Sequence, residues 1–174
     1  MDQQIIIEPY HSNWHNEFLN EKKRFMVLLN EDIAGIEHIG STSVEGLGAK
    51  SLIDMMIGVE DLKVVDTWIE QLATIEYEYV PKETSKWRFF RKGKWRAGTH
   101  HLHIYIYNSE EWKNNLLFRD FLRSHEWACK EYQKLKEKLA VMYPHDRVAY
   151  TNAKAPFIQN TIAIARKCMH IDRI

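Results

Sequence analysis

The residues best suited to chemistry lie between Ile36 and Val59 and in two later segments. IEHIGSTSVEGLGAKSLIDMMIGV reads as a short strand ending at His38 and Ile39, a turn of small residues, and a second strand carrying one aspartate, Asp54. Gly40, Ser41 and Thr42 open the turn, and Ser43, Gly46, Gly48 and Ala49 keep it free of bulk, so backbone N–H groups and hydroxyls can approach an anion. Lys50 adds a positive charge. Asp54 stands in an apolar run, where a carboxylate is costly unless something binds it, which invites a functional reading. Hydrogen bonds from the hydroxyls of the turn are the competing reading. In Thr99–Tyr107, His101 and His103 fall two residues apart on a strand and so project to one side. They suit a metal or a phosphate, or else hydrogen-bond beside tyrosines on a half-exposed sheet face. Arg119 and Arg123 sit one helical turn apart and can grip a phosphate together; with Asp120 between them they can equally form a surface ion-pair cluster.

Gly48-Ala49-Lys50-Ser51 resembles the end of a phosphate-binding P-loop, but that motif needs Gly directly before the Lys and another five positions ahead of that one. Ala49 and Val44 stand there, and Leu52–Ile57 reads as a strand rather than a helix. The P-loop is excluded.

These groups need elements to position them. The pattern predicts a short strand at Ile5–Ile7 and a helix over Asn13–Leu29 with Trp14, Phe18, Phe25, Leu28 and Leu29 inward and Glu17, Glu21, Lys22 and Lys23 in water. A helix over Leu62–Thr74, capped by Asp61, follows the aspartate strand. Strands are expected at Glu76–Val80, Lys86–Arg91 and Thr99–Tyr107; the basic, aromatic middle one could stack on a nucleotide or be an ordinary half-buried strand. Ser109 caps the next helix. Glu126–Tyr143 carries a packing seam of Ala128, Tyr132, Leu135, Leu139 and Met142, and a final helix, with Lys154 just ahead of Pro156, is expected to break near that proline.

At 174 residues the chain suits one domain. Lys plus Arg equals Asp plus Glu, 24 each, so no global charge favours nucleic acid or an anionic membrane. Cys129 and Cys168 have no metal-type spacing, the N-terminus carries no signal peptide, and no run reaches membrane-span length; a cytoplasmic protein is expected.

A Gly-Ser turn, twelve intervening residues and an Asp in a hydrophobic strand resemble the signature of the polymerase-β-type nucleotidyltransferase superfamily. Within it, HIGSTSV…GLGAKSLIDMMIGV, together with His101-Leu102-His103, Leu117–Arg123 and Tyr150–Ile158, is similar to the GrpB-like family over nearly the whole chain. The resemblance implies an α+β fold: a mixed sheet of about five strands flanked by helices, with a helical C-terminal part. It implies a nucleotide or other phosphate-bearing small molecule as ligand, a divalent metal (Mg or Mn), and transfer of a nucleoside monophosphate to a small acceptor. Asp54, Ser41 and His103 would then be catalytic. Gly40, Ser41, Thr42, Lys50, Arg119 and Arg123 would bind phosphate, and Asp54, His101, His103 and Glu37 the metal.

One departure matters. The superfamily strand commonly carries a second acid two residues after the first, and Met56 stands there, a poor ligand for a hard cation. The third acid's strand offers His101 and His103 instead. Two readings stay open: a single metal with mixed ligands, or ligand binding without transfer.

Overall fold

Five strands and five helices account for most of residues 4–29, 32–94 and 97–171, the part of the chain described in the computed structural model. They run α1 (Asn13–Leu29), β1 (Gly35–Ile39), a 3₁₀ turn (Ser41–Ser43), β2 (Ile53–Val59), α2 (Val64–Ala73), β3 (Tyr77–Tyr79), β4 (Trp87–Lys94), β5 (Ala97–Ile106), α3 (Glu110–Ser124), α4 (Glu126–Met142) and α5 (Arg147–Ile171). The sheet order is β1-β2-β5-β4-β3, with β2 parallel to β5 and the other neighbours antiparallel. The expected α+β architecture with a mixed five-stranded sheet is what forms.

Strand β2 lies inside the sheet, between β1 and β5, and is covered on both faces, which explains its nearly continuous apolar sequence. Ile53, Met55 and Ile57 point towards α1 and α2, where Trp14, Phe18, Phe25, Val65, Trp68 and Leu72 close the main core with Phe90, Leu102 and Ile104. Each large apolar side chain buried there contributes about 1.5–3 kcal/mol. On the other face, Ile39, Met56, Tyr105 and Trp112 form a small cluster under α3. Helices α3, α4 and α5 pack through Phe121, Leu122, Ala128, Tyr132 and Ala165 onto Val44 and Leu47, so the helical C-terminal part is anchored on the small-residue turn.

Four details differ from the sequence expectations. Ile5–Ile7 makes no strand: Ile5 N–H donates to the Pro144 carbonyl (2.8 Å), and Glu8 forms a lone bridge to Ala49. Glu21 is buried, not wet; Tyr77 Oη (2.8 Å) and Lys92 Nζ (3.2 Å) donate to its carboxylate and offset the burial. Met142 lies at the exposed end of α4, and Lys136 takes a buried place on the inward face of that helix. Helix α5 runs through Pro156 without breaking. Pro156 and Asn152 are both exposed, so the carbonyl that the proline leaves unpaired, four residues back, faces solvent.

Candidate functional site

The parallel register of β2 with β5 sets Asp54 beside His101 and Met56 beside His103, and the antiparallel register of β1 sets Ile39 beside Asp54 and Glu37 beside Met56. Because strand side chains alternate, all of these share one face. His101 Nδ1 lies 3.2 Å and His103 Nε2 3.8 Å from Asp54 Oδ1. The three ligand atoms fall within 4.8 Å of one another. Burial opposes ionisation of Asp54, but hydrogen bonds and charge from His101 and His103 prevail and hold its carboxyl well below the usual carboxylate range. One carboxylate and two imidazoles converging at this spacing fit a single divalent ion. Two nitrogens favour manganese or zinc over magnesium, which demands oxygen ligands.

The turn before β2 is fixed from behind. Gly40 has φ 70° and ψ −176°, a backbone that favours glycine, and a Cβ there would meet Asp54 Oδ2 at 2.6 Å. Thr42 Oγ1 donates to the Leu52 carbonyl (3.3 Å), so its oxygen accepts from the Nε2–H of His38 (3.0 Å). Burial against the Phe18 ring, stacked at 4.9 Å, pushes the His38 pKa down to about 4 and keeps the imidazole neutral. Ser43 Oγ donates to the Gly40 carbonyl (2.6 Å).

Ser41 and Thr42, Lys50, Asp54 and His101 line one cleft of roughly 210 Å³ with Lys136, Tyr150, Thr151 and Lys154. Lys136 is 2% exposed, and its ammonium donates to the Gly48 carbonyl. Burial, with the Lys154 charge nearby, lowers its pKa to about 7; burial, with the Lys50 charge, lowers that of Lys154 to about 8. Lys50 is lowered for the same first reason, against the pull of Asp54. The ammoniums of Lys50 and Lys154 lie 5.3 and 4.5 Å from the centre of the buried Tyr150 ring.

The predicted residues therefore divide. Gly40, Ser41, Thr42, Lys50, Asp54, His101 and His103 are brought together. Glu37 shares their face, but its carboxylate takes Arg119 Nη1 at 2.6 Å and stands outside the three-ligand cluster. Arg119 also donates to the His38 carbonyl (3.0 Å) and to Asp120 (2.7 Å), and Arg123 gives two bonds to the Ser43 carbonyl (3.0 and 2.7 Å). Both guanidinium groups brace the strand end and the turn. Sequence reasoning missed Lys136, Tyr150 and Thr151 and gave Lys154 no role. A lysine on the inward stripe between Tyr132 and Leu139 was the available signal for the first.

Among the described residues no helix is long and apolar enough to cross a membrane. The chain is similar, at 35% identity and a TM-score of 0.87, to the crystal structure of the conserved protein GrpB from Enterococcus faecalis, covering 94% of this chain and 99% of that one. It is 31% identical to the glutamate-rich protein GrpB of Alkalihalophilus pseudofirmus, over 91% of this chain and 94% of that protein. It is 35% identical to YqkA of Bacillus subtilis, of which it spans only 48%. A fainter likeness, 12% identity and a TM-score of 0.49, is to Cid1 in complex with its short product ApU, and carries no argument about activity. Residues 4–163 match the GrpB protein family, and the chain belongs to that family.

Proposed function

We propose that this chain is a nucleotidyltransferase-like protein that binds a nucleotide or nucleotide-derived phosphate in a metal-assisted cleft. One observation carries the reading: a carboxylate and an imidazole of the three-ligand cluster open into the same cleft as three lysines and two residues of the small-residue turn, Ser41 and Thr42. Asp54, His101 and His103 hold a divalent cation, manganese in preference to magnesium. When bound, that ion neutralises charge on the phosphoryl oxygens and orients them. Ser41, Lys50 and the backbone N–H of Thr42 take the phosphate. Arg119 and Arg123 serve the site from behind, through Glu37 and the carbonyls of His38 and Ser43. The fuller reaction is attack by an acceptor hydroxyl on the phosphorus next to the nucleoside, with Asp54, Ser41 and His103 nearest the reacting atoms and pyrophosphate leaving.

The test is thermal stability with nucleoside triphosphates, with and without manganese or magnesium, for the wild type and Asp54→Asn. Stabilisation that needs metal and is absent in the folded variant supports the reading. Stabilisation indifferent to both removes the metal from it.

A second reading, binding without transfer, is favoured by Met56. The side chain at the superfamily's second acid position is fully buried with Ile39, Tyr105 and Trp112, so β2 offers the site one carboxylate, and a second at this place would be desolvated. Release of pyrophosphate from a nucleoside triphosphate across a panel of hydroxyl acceptors would exclude it.

A further inference from the structure

The three lysines of the cleft come from separate parts of the chain: Lys50 ahead of β2, Lys136 on α4 and Lys154 on α5. Among the described residues, none of them pairs with a carboxylate. Asp54 is the single acid among the lining residues, and His101 already engages it. A nearly inaccessible ammonium whose partner is a neutral carbonyl, crowded by two further cations, is an expensive arrangement for a protein interior. It becomes favourable when an anion enters, because charge-assisted hydrogen bonds to phosphate oxygens are strong in a site shielded from water.

Charge and size narrow the anion. A phosphate monoester carries about −1.5 to −2 at neutral pH, which three lysines and a divalent ion would over-compensate. A condensed chain adds charge with each phosphate and distributes it over a length that separate ammoniums can follow. The cleft, at roughly 210 Å³, is smaller than the ~300–1,000 Å³ of sites that enclose a whole drug-sized ligand. It has room for a short phosphate chain, while a base and ribose would lie outside it.

We infer that this cleft is a condensed-phosphate subsite, in which Lys50, Lys136 and Lys154 take a di- or triphosphate chain. The inference rests on the phosphate-binding reading of the cleft and adds to it the roles of Lys136 and Lys154 and retention of the chain without nucleoside or metal. The chain can arrive as an inorganic polyphosphate or as the tail of a nucleoside polyphosphate. The subsite holds it without help from metal, since Lys136 and Lys154 are supplied by the helices and Lys50 by the turn ahead of β2, and none of the three is a ligand of the metal cluster.

Calorimetric titration of the EDTA-treated protein with orthophosphate, pyrophosphate and tripolyphosphate tests this. Tripolyphosphate should bind at least about tenfold more tightly than orthophosphate. Lys136→Met and Lys154→Met, checked for folding by circular dichroism, should each weaken it about tenfold or more, and Lys130→Met on the exposed face of α4 should not. Equal affinity for the three anions, an equal loss in Lys130→Met, or no loss in either cleft variant overturns the inference. Lys154→Met decides the matter if Lys136→Met fails to fold. Competition with a nucleoside triphosphate in manganese separates the two claims. Tripolyphosphate binding through the lysines that no nucleotide displaces keeps the subsite and removes the nucleotide. Nucleotide binding unaffected in both lysine variants does the reverse.

Discussion

Gly40 stands so close to Asp54 that a Cβ on the glycine would come within 2.6 Å of Oδ2 and 2.9 Å of the aspartate Cβ. The turn and the acid are therefore one packed unit, and the absence of a side chain at position 40 sets where the carboxylate points. Gly40→Ala should cost about 1–2 kcal/mol through its positive φ alone. Beyond that it must displace Asp54, so manganese affinity should fall by more than the stability loss accounts for. Urea denaturation and manganese titration on one preparation check both; unchanged metal affinity would mean that the contact does not orient Asp54.

Met56 shows why the site departs from an all-carboxylate arrangement. It is fully buried against Ile39, Tyr105 and Trp112. Met56→Asp, which would place a second acid two residues after Asp54, is expected to lose several kcal/mol of stability, about what burying an uncompensated charge costs. A variant with wild-type melting temperature and tighter metal binding would contradict this.

Arg119 acts on structure before it acts on any ligand. Its side chain is 10% exposed and joins Glu37 of β1, the His38 carbonyl and Asp120. Arg119→Ala should destabilise the fold by about 2–3 kcal/mol, less than the ~3–5 for a fully buried pair because Glu37 is 38% exposed. Arg123→Ala should loosen the turn at Ser43 and weaken phosphate binding several-fold at a smaller cost in stability. If Arg119→Ala weakens binding and leaves stability untouched, its guanidinium contacts the ligand directly.

The cleft lysines make stability depend on pH. Burial, with the Lys154 charge, lowers the Lys136 pKa from 10.5 to about 7, and burial, with the Lys50 charge, lowers that of Lys154 to about 8. Between those values and 10.5 the unfolded chain holds protons that the folded chain has released, so stability rises with pH across that window. Below pH 7 both states are charged and the burial cost is fully present. The informative quantity is the wild type minus Lys136→Met, in which the contributions of the other groups cancel. That difference in melting temperature should become more positive from pH 7 to pH 10. A flat difference would mean that Lys136 stays protonated through the range. Tripolyphosphate, which favours the charged lysines, should flatten it.

Local pattern made much of this legible. The 17 residues of α1, the alternation that puts His101 and His103 on one face of β5, and the Ser109 cap, whose Oγ accepts from Trp112 N–H at 3.3 Å, all follow from periodicity and capping chemistry. What stayed hidden depends on contacts distant in sequence. Lys136 meets Gly48 only because α4 packs on the turn, 88 positions away, and Glu21 is buried only because Tyr77 and Lys92 reach it from β3 and β4. Pro156 looked like a break because a proline rule says nothing about whether the freed carbonyl faces water. The arginine pair read correctly as neighbours, but its partners Glu37 and Ser43 lie about 80 residues upstream.

The most direct test of the central claim is an anomalous difference map from crystals soaked in manganese and a nucleoside triphosphate. A manganese peak enclosed by Asp54, His101 and His103, with phosphate density running towards Lys50, Lys136 and Lys154, is the predicted result. Nucleotide bound at another surface, or a fully occupied nucleotide in this cleft with no manganese beside Asp54, would contradict the account.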